Sequence, residues 1–386
     1  MRAPEHDVLV VGGGITGLAL AVHAARRGLS TVLVEAGPLG GVSTQRSGAL
    51  VRTHYDDAGS AALALRGLEH FETFAERYGG PAGFRATGFA YVPTPEESGS
   101  GQLDRRVAML RAAGVETELL DAAALAAVDP ALHLGDVGVV AYEPRSGYAD
   151  PSATTATLAR AAVQAGAALR PRNAVASLLV DSAGVTAGAF LAGGATVVAR
   201  TTVLCAGAWS ARLAAAAGLD LPLRPTAVKL AFVRRAVATH LTVIDAPGGI
   251  YFRPDGEAAT LVGRRTWTDE PLDGPDAPLP DVDAAFAVDA RDRLARRLPS
   301  ATGARVVGGR AGMLDMTPDG LPLVGPSRVR GLWLCCGWSG TGFKTGPSVG
   351  EALAGWIAGG AMPSELASFA PHRAVPAARG AVRSPH

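Results

Sequence analysis

The stretch "HDVLVVGGGITGLALAVHAARRGLSTVLVEAG", residues 6–37, constrains the fold more than any other part of the chain. An apolar run stops at three glycines, an Ala-rich amphipathic run follows, and a second apolar run, Thr31 to Val34, closes on an acid, Glu35. Glycines 12, 14 and 17 form G-x-G-x-x-G between the two runs. This order predicts strand, tight turn, helix and second strand, the arrangement that holds a dinucleotide. Gly12 permits the turn, Gly14 lets backbone approach a pyrophosphate, and Gly17 lets the helix lie close to the sheet. Amides at the helix start, where Ile15 and Thr16 stand, then face phosphate oxygens, and the helix dipole favours their charge. Glu35 and Ala36 begin 18 residues after Gly17, where a carboxylate accepts hydrogen bonds from ribose hydroxyls. A 2′-phosphate would be repelled there, which disfavours NADP. Glycines 12–14 interrupt the apolar run and no small-residue cleavage site follows, so neither a signal peptide nor a membrane span is expected.

A chain of 386 residues with 48% hydrophobic and 18% charged residues and a formal net charge of +1 exceeds one ordinary core. It fits a packed soluble enzyme, with no nucleic-acid or membrane partner, better than a disordered or polyanion-coating protein. Cys205, Cys335 and Cys336 sit in apolar runs without metal-ligand spacing, and read as buried thiols in a reducing, cytoplasmic compartment. Periodicity predicts helices over 58–78, 103–113, within 150–169 (opened by Asp150 or Ser152 and ending at Gly166) and 283–297. It predicts strands at 88–94, 173–180, 185–191 and 195–205, and antiparallel pairing through 223–267 with turns at Pro247–Gly249 and Asp255–Gly256. Pro- and Gly-rich stretches at 93–101 and 271–281 read as loops, and 371–386 as a frayed tail. "RGLWLCCGWSGTGFKTGPSVGEALAGWIAGG" (330–360) reads as strand, glycine-dense loop and helix, a second place where backbone comes close to a flat or anionic ligand.

Three separated motifs, the opening segment, "VLCAGAWSARL" (203–213) and "MTPDGLPLVGP…GLWLCCGWSGTGFKTGPSVGEALAGWI" (316–357), together resemble the FAD-dependent amino-acid oxidase superfamily of D-amino-acid, glycine and sarcosine oxidases. "SGTGFKTGPSVGEAL" is most similar to the monomeric sarcosine oxidase branch. The resemblance implies an α/β fold: a Rossmann-like FAD-binding domain, a parallel sheet flanked by helices, interleaved with an α+β substrate domain on an antiparallel sheet. The corresponding bounds are 1–84, 146–222 and 310–372 for the first, 85–145 and 223–309 for the second, with 373–386 a tail. It implies FAD rather than NAD, with Gly12, Gly14, Gly17 and Glu35 under the adenosine half and the backbone of Val175 at adenine. Ala206 and Gly207 belong to the middle motif. Ser43, Thr44, Arg46 and Ser47, in the loop 40–52, are the matching polar positions along pyrophosphate and isoalloxazine. Gly340, Thr341, Gly342, Phe343 and Lys344 match the loop along the flavin's pyrimidine edge.

An amino-acid carboxylate held beside an apolar flavin face needs a cation, because burying it unpaired is prohibitive. Lys344, one of two lysines in the chain, matches the family's carboxylate lysine, Arg52 matches its helper, and Tyr251 matches a tyrosine lining the active site. His54 and Tyr55, which follow Arg52, are candidates for shaping the pocket, and Arg253 for a replacement carboxylate partner or a residue of the rim. The implied reaction passes hydride from the C–H beside nitrogen of an amino acid or secondary amine to flavin N5, leaving an imine for water to hydrolyse. Positioning and charge carry such catalysis. Three departures qualify the match. Gly312 stands where the monomeric branch has its flavin-tethering cysteine, so FAD is expected to be noncovalent. Leu261 falls near the position of the oxygen-activating lysine, with Arg264 and Arg265 close by, so the acceptor is oxygen or another oxidant. No arginine precedes the proline of "MTPDG" as in glycine oxidases. A dehydrogenase, or an FAD-holding subunit of one, is the first alternative; the middle motif and "GFK" speak against a flavin monooxygenase.

Overall fold

The structure, a computed structural model, describes residues 4–265 and 270–373; most of the expected tail and the end of the 223–267 segment lie outside the described residues. The opening segment forms β1 (His6–Val11), α1 (Ile15–Arg26) and β2 (Thr31–Val34). β1 pairs in parallel with β2 on one side and with Thr196–Leu204 on the other. Leu332–Cys336 and Ala168–Arg170 extend this parallel sheet at its two sides. Val8 and Val10 face a helical layer of α1, Pro151–Gln164 and Gly342–Ile357, whereas Leu9 and Val11 face the antiparallel meander of Val175–Val180 and Thr186–Leu191. Burial on both faces is why the strand reads as an unbroken apolar run.

The second sheet runs in the order Val306–Met316, Arg224–Arg234, Ala259–Arg264, Ile250–Asp255, Thr242–Asp245, Phe89–Val92, Val139–Glu143, Glu118–Asp121. All its pairs are antiparallel except Thr242–Asp245 with Phe89–Val92. The helix Ala284–Arg297, capped by Asp283 accepting from the Phe286 amide at 2.8 Å, covers one face through Phe286, Ala290 and Leu294. The other face carries Leu230, Ile244, Tyr251 and Leu261. The expected α/β class, with a parallel sheet and an interleaved antiparallel one, is the fold observed.

Three local expectations change. The helix expected over 58–78 breaks at Thr73 (φ −105°, ψ 21°) into α2 (Ala58–Glu72) and a short helix, Phe74–Tyr78. The loop expected at 93–101 holds a turn of helix, Pro95–Gly99, closed by a capping box between Thr94 and Glu97. Val306–Met316 is a long strand that alternation does not reveal, because Gly308, Gly309 and Gly312 remove side chains from its pattern. It crosses residue 310, so the expected domain boundary falls inside a strand of the antiparallel sheet. Among the described residues, no helix is long and apolar enough to cross a membrane.

Candidate active site

A cavity of about 530 Å³ is lined from both sheets. At one end stands the glycine turn. Gly12 has φ +111°, and a Cβ there would lie 2.4 Å from the Cys205 carbonyl oxygen. A Cβ on Gly17 would lie 2.0 Å from the Gly12 oxygen, so Gly17 works from behind the turn and is not part of the lining. Gly14, Ile15, Thr16, Glu35, Ala36, Val175, Ala206 and Gly207 all reach the cavity. The Glu35 carboxylate already accepts from the Gly13 amide at 2.6 Å and the Gly37 amide at 2.7 Å, which fixes its direction and leaves further lone pairs for a hydroxyl.

The loop 40–52 passes along the cavity, but its four matching polar side chains all have protein partners. Ser43 Oγ donates to the Met313 carbonyl at 2.7 Å and Arg46 to the Ala311 carbonyl at 2.8 Å, tying the loop to Val306–Met316. Thr44 Oγ1 accepts from the Ile15 amide at 3.1 Å, and Ser47 Oγ accepts from the Ala49 amide at 2.9 Å. Gly312 lies in the strand opposite, against Arg46.

At the far end the helix Gly342–Ile357 begins. Gly340, Gly342, Phe343 and Lys344 line the cavity; Thr341 does not, and its hydroxyl donates back to the Trp338 carbonyl at 2.7 Å. Lys344 is 3% exposed. Among the described residues its ammonium has no hydrogen-bond or ion-pair partner, and it lies over the Tyr55 ring, 5.6 Å from Nζ to the centroid. The Arg52 guanidinium covers the same ring at 4.6 Å and donates to the His54 carbonyl. Burial, and then the Arg52 charge, hold the Lys344 ammonium well below the usual lysine range. Burial pushes the Tyr55 hydroxyl up to about 12.

Tyr251 also lines the cavity, with its ring against Gly48 and Gly263; a Cβ on Gly263 would fall 2.3 Å from its Cζ. Burial raises its hydroxyl above the ordinary range. Arg253 is placed elsewhere: it donates to the Gly48 and Pro254 carbonyls, both at 2.6 Å, and to Asp255 at 2.8 Å, and it is a backbone anchor. His54 lies behind Arg52, stacked on Tyr91 at 4.4 Å. Of the two arginines near Leu261, Arg265 reaches the cavity while Arg264 pairs with Asp289 at 2.7 Å.

Asp315 and Trp338 are lining residues to which sequence reasoning assigned no role. An acid inside an otherwise apolar strand end was the available signal. Asp315 accepts from the Gly337 amide at 2.7 Å, so one carboxylate joins the antiparallel strand to the turn of the parallel sheet. Burial pushes its carboxyl up to about 6 against the pull of the Gly337 and Trp338 amides. An unfolded Asp titrates near 3.9, so the folded chain holds the extra proton between about pH 4 and 6 and loses stability as pH rises through that window. Asp315→Asn keeps an acceptor for the amides without the charge. It is expected to stabilise the protein at pH 7.5 by roughly 1–3 kcal/mol, with the gain vanishing towards pH 4. Melting curves at both pH values check this, and an equal effect at both would overturn it.

Residues 7–356 match the model of the family described as FAD dependent oxidoreductase. The chain is 28% identical over 374 residues to glycine oxidase of Geobacillus kaustophilus (strain HTA426), covering 95% of this chain and 96% of that one. It is 28% identical over 364 residues to sarcosine oxidase subunit beta of an Arthrobacter species, covering 92% and 87%. The crystal structure of glycine oxidase from Geobacillus kaustophilus superposes with a TM-score of 0.83 at 26% identity, over 96% of this chain and 99% of that one. L-proline dehydrogenase from P. horikoshii shares the fold, with a TM-score of 0.86 at 24% identity over 96% and 98%. With the glycine turn, the acid closing β2 and the family match spanning both sheets, the chain belongs to the FAD-dependent oxidoreductase family.

Proposed function

We propose that this protein oxidises the C–N bond of an amino acid, or of a secondary amine bearing a carboxylate, to the imine. The observation that carries the reading is Lys344, a buried ammonium facing a cavity with no anionic partner among the described residues. Buried charges are ordinarily paired, and a substrate carboxylate would complete this one, with Arg52 over the same Tyr55 ring.

The residues fit FAD: side-chain-free backbone at Gly12 and Gly14, a fixed carboxylate at Glu35 and a helix start at Gly342. Gly12, Gly14, Ile15 and Thr16 would meet the pyrophosphate, with Gly17 supporting them from behind, and Glu35 and Ala36 would meet the ribose. Ala206 and Gly207 would flank that half, and Val175 the adenine. Ser43, Thr44, Arg46 and Ser47 would shape the channel between, two of them by holding the loop to the strand. Gly340, Gly342, Phe343 and Lys344 would follow the pyrimidine edge, with Thr341 supporting their turn. The parallel sheet is then the cofactor unit and the antiparallel sheet the substrate unit. Bound FAD supplies a two-electron acceptor for the hydride leaving the carbon beside nitrogen. The protein's part is to hold the carboxylate at Lys344 and Arg52, to wall the chamber with Tyr251 and to exclude water; an amine arriving neutral needs no side-chain base. The three free, buried cysteines suit the reducing, cytoplasmic setting expected from sequence.

The test is an anaerobic screen of amino acids and N-alkyl amino acids, read by bleaching of the flavin band. Bleaching by carboxylate-bearing amines and not by their decarboxylated analogues is expected, and the reverse preference would sink the proposal. Readmitting air to the bleached samples reports whether oxygen is the acceptor; with buried, uncharged Leu261 near the oxygen-activating position, slow recovery is expected.

Noncovalent attachment rests on Gly312. The cysteine that does line the cavity, Cys205, lies beside Gly12, at the turn end rather than opposite Arg46. Acid precipitation should therefore release the flavin into the supernatant. A yellow pellet would reveal a covalent link.

A further inference from the structure

Away from the cavity, three helices bring two imidazoles and a carboxylate to one point. His23 comes from α1, His70 from α2 and Glu351 from Gly342–Ile357, and a ligand-capable atom of each lies within 4.8 Å of the others. His70 Nε2 is 3.1 Å from Glu351 Oε2, and His23 Nδ1 is 3.9 Å from Oε1. The remaining ring nitrogens, His23 Nε2 and His70 Nδ1, both meet the Tyr78 hydroxyl, at 3.0 and 2.8 Å. A phenol oxygen has two lone pairs and can accept from both rings. That leaves the lone pairs of His23 Nδ1 and His70 Nε2 turned towards Glu351. An outer hydrogen bond that fixes tautomer and ring direction is what metal-binding imidazoles ordinarily have. Both rings are buried while Glu351 is 39% exposed, and a separate cavity touches His70 and Glu351, so an ion has an entry path and room for water.

We propose that His23, His70 and Glu351 bind a divalent first-row transition ion of the zinc type, with water completing its coordination. Two imidazoles and one carboxylate suit such an ion and not magnesium or calcium, which take oxygen sets. Arg77, 3.7 Å from Glu351 Oε2, and the nearby Arg26 and Arg27 oppose the added charge, so the affinity falls below that of an all-thiolate structural site. Without the ion the same groups form a hydrogen-bonded chain from Glu351 through His70 and Tyr78 to His23, which keeps the three helices in place. Glu351 follows Lys344 by two helical turns, so a bound ion would pin to α1 and α2 the helix that carries the substrate cation.

The experiment titrates chelator-treated, FAD-loaded protein with zinc chloride in a calorimeter, alongside melting curves with and without zinc. One ion per chain and a higher melting temperature are expected. His70→Gln and Glu351→Gln should abolish both effects while the flavin spectrum stays that of the parent, and Tyr78→Phe should weaken binding by about 10- to 100-fold. No heat in the parent protein overturns the proposal without recourse to any variant. Parent-like zinc binding in His70→Gln or Glu351→Gln also overturns it, since the ion would then sit elsewhere.

Discussion

Lys344→Met is expected to raise the substrate Kd by roughly 30- to 1,000-fold, the loss of about 2–4 kcal/mol of charge-assisted contact, while the protein folds and keeps its flavin. The fold should tolerate the change because the ammonium has no partner among the described residues whose loss would leave a second buried charge alone. Removing an uncompensated buried cation relieves desolvation, so the melting temperature in the absence of substrate should hold or rise. Rapid-mixing reduction, with the observed rate followed against substrate concentration, separates binding from hydride loss. Normal affinity in the variant would assign the carboxylate to Arg52, or remove the carboxylate from the substrate. An independent check comes from the backbone. A Cβ on Gly67 of α2 would lie 2.1 Å from the Lys344 carbonyl oxygen, so Gly67→Ala should displace this residue without touching its charge and weaken binding too.

The second large effect separates two glycines of one motif. Gly17→Ala places a methyl 2.0 Å from the Gly12 carbonyl oxygen, against backbone that has little room to move. Overpacking commonly costs about 1–3 kcal/mol and more where backbone is the obstacle, so this variant should lose both FAD and thermal stability. Gly14→Ala meets only Thr44 Oγ1, at 3.3 Å, and its φ of −73° is ordinary for alanine. It should fold as the parent does, within about 0.5 kcal/mol, and lose FAD affinity because the methyl stands in the cavity. Comparing the cofactor-stripped melting temperature with FAD titration distinguishes them. Equal loss of stability in both would show that Gly14 is a packing glycine as well.

What could be read from sequence was whatever demands special backbone or carries charge into an apolar setting. Residues 6–37 were readable because glycine spacing and the acid after β2 are local in the chain. The position of Lys344 at the cavity was readable because lysine is so scarce here that its place in a glycine-rich loop is informative. Val306–Met316 was hidden, since its glycines erase alternation and its pairing with Arg224–Arg234 is long-range. Asp315 was hidden for a related reason: its partners, Gly337 and Trp338, belong to the other sheet. Arg253 shows a limit of reading cations from sequence, because a cation close to a site residue in the chain can be spent on carbonyls once the chain is folded. The meeting of His23, His70 and Glu351 depends on the packing of three helices and leaves no local pattern at all.

The order of the parallel sheet bears on how such a chain is made. Thr196–Leu204 is an interior strand whose outer neighbour, Leu332–Cys336, follows 128 residues later. At about 5–20 residues per second of synthesis, roughly 6 to 26 seconds pass while the Thr202–Leu204 part of that edge is present and its partner is not, the start of the strand being covered by Thr186–Leu191. An apolar strand edge left open that long is a template for pairing with other chains. The interval therefore favours slow, chaperone-assisted production, and yield should respond to temperature and translation rate more than to any single surface residue.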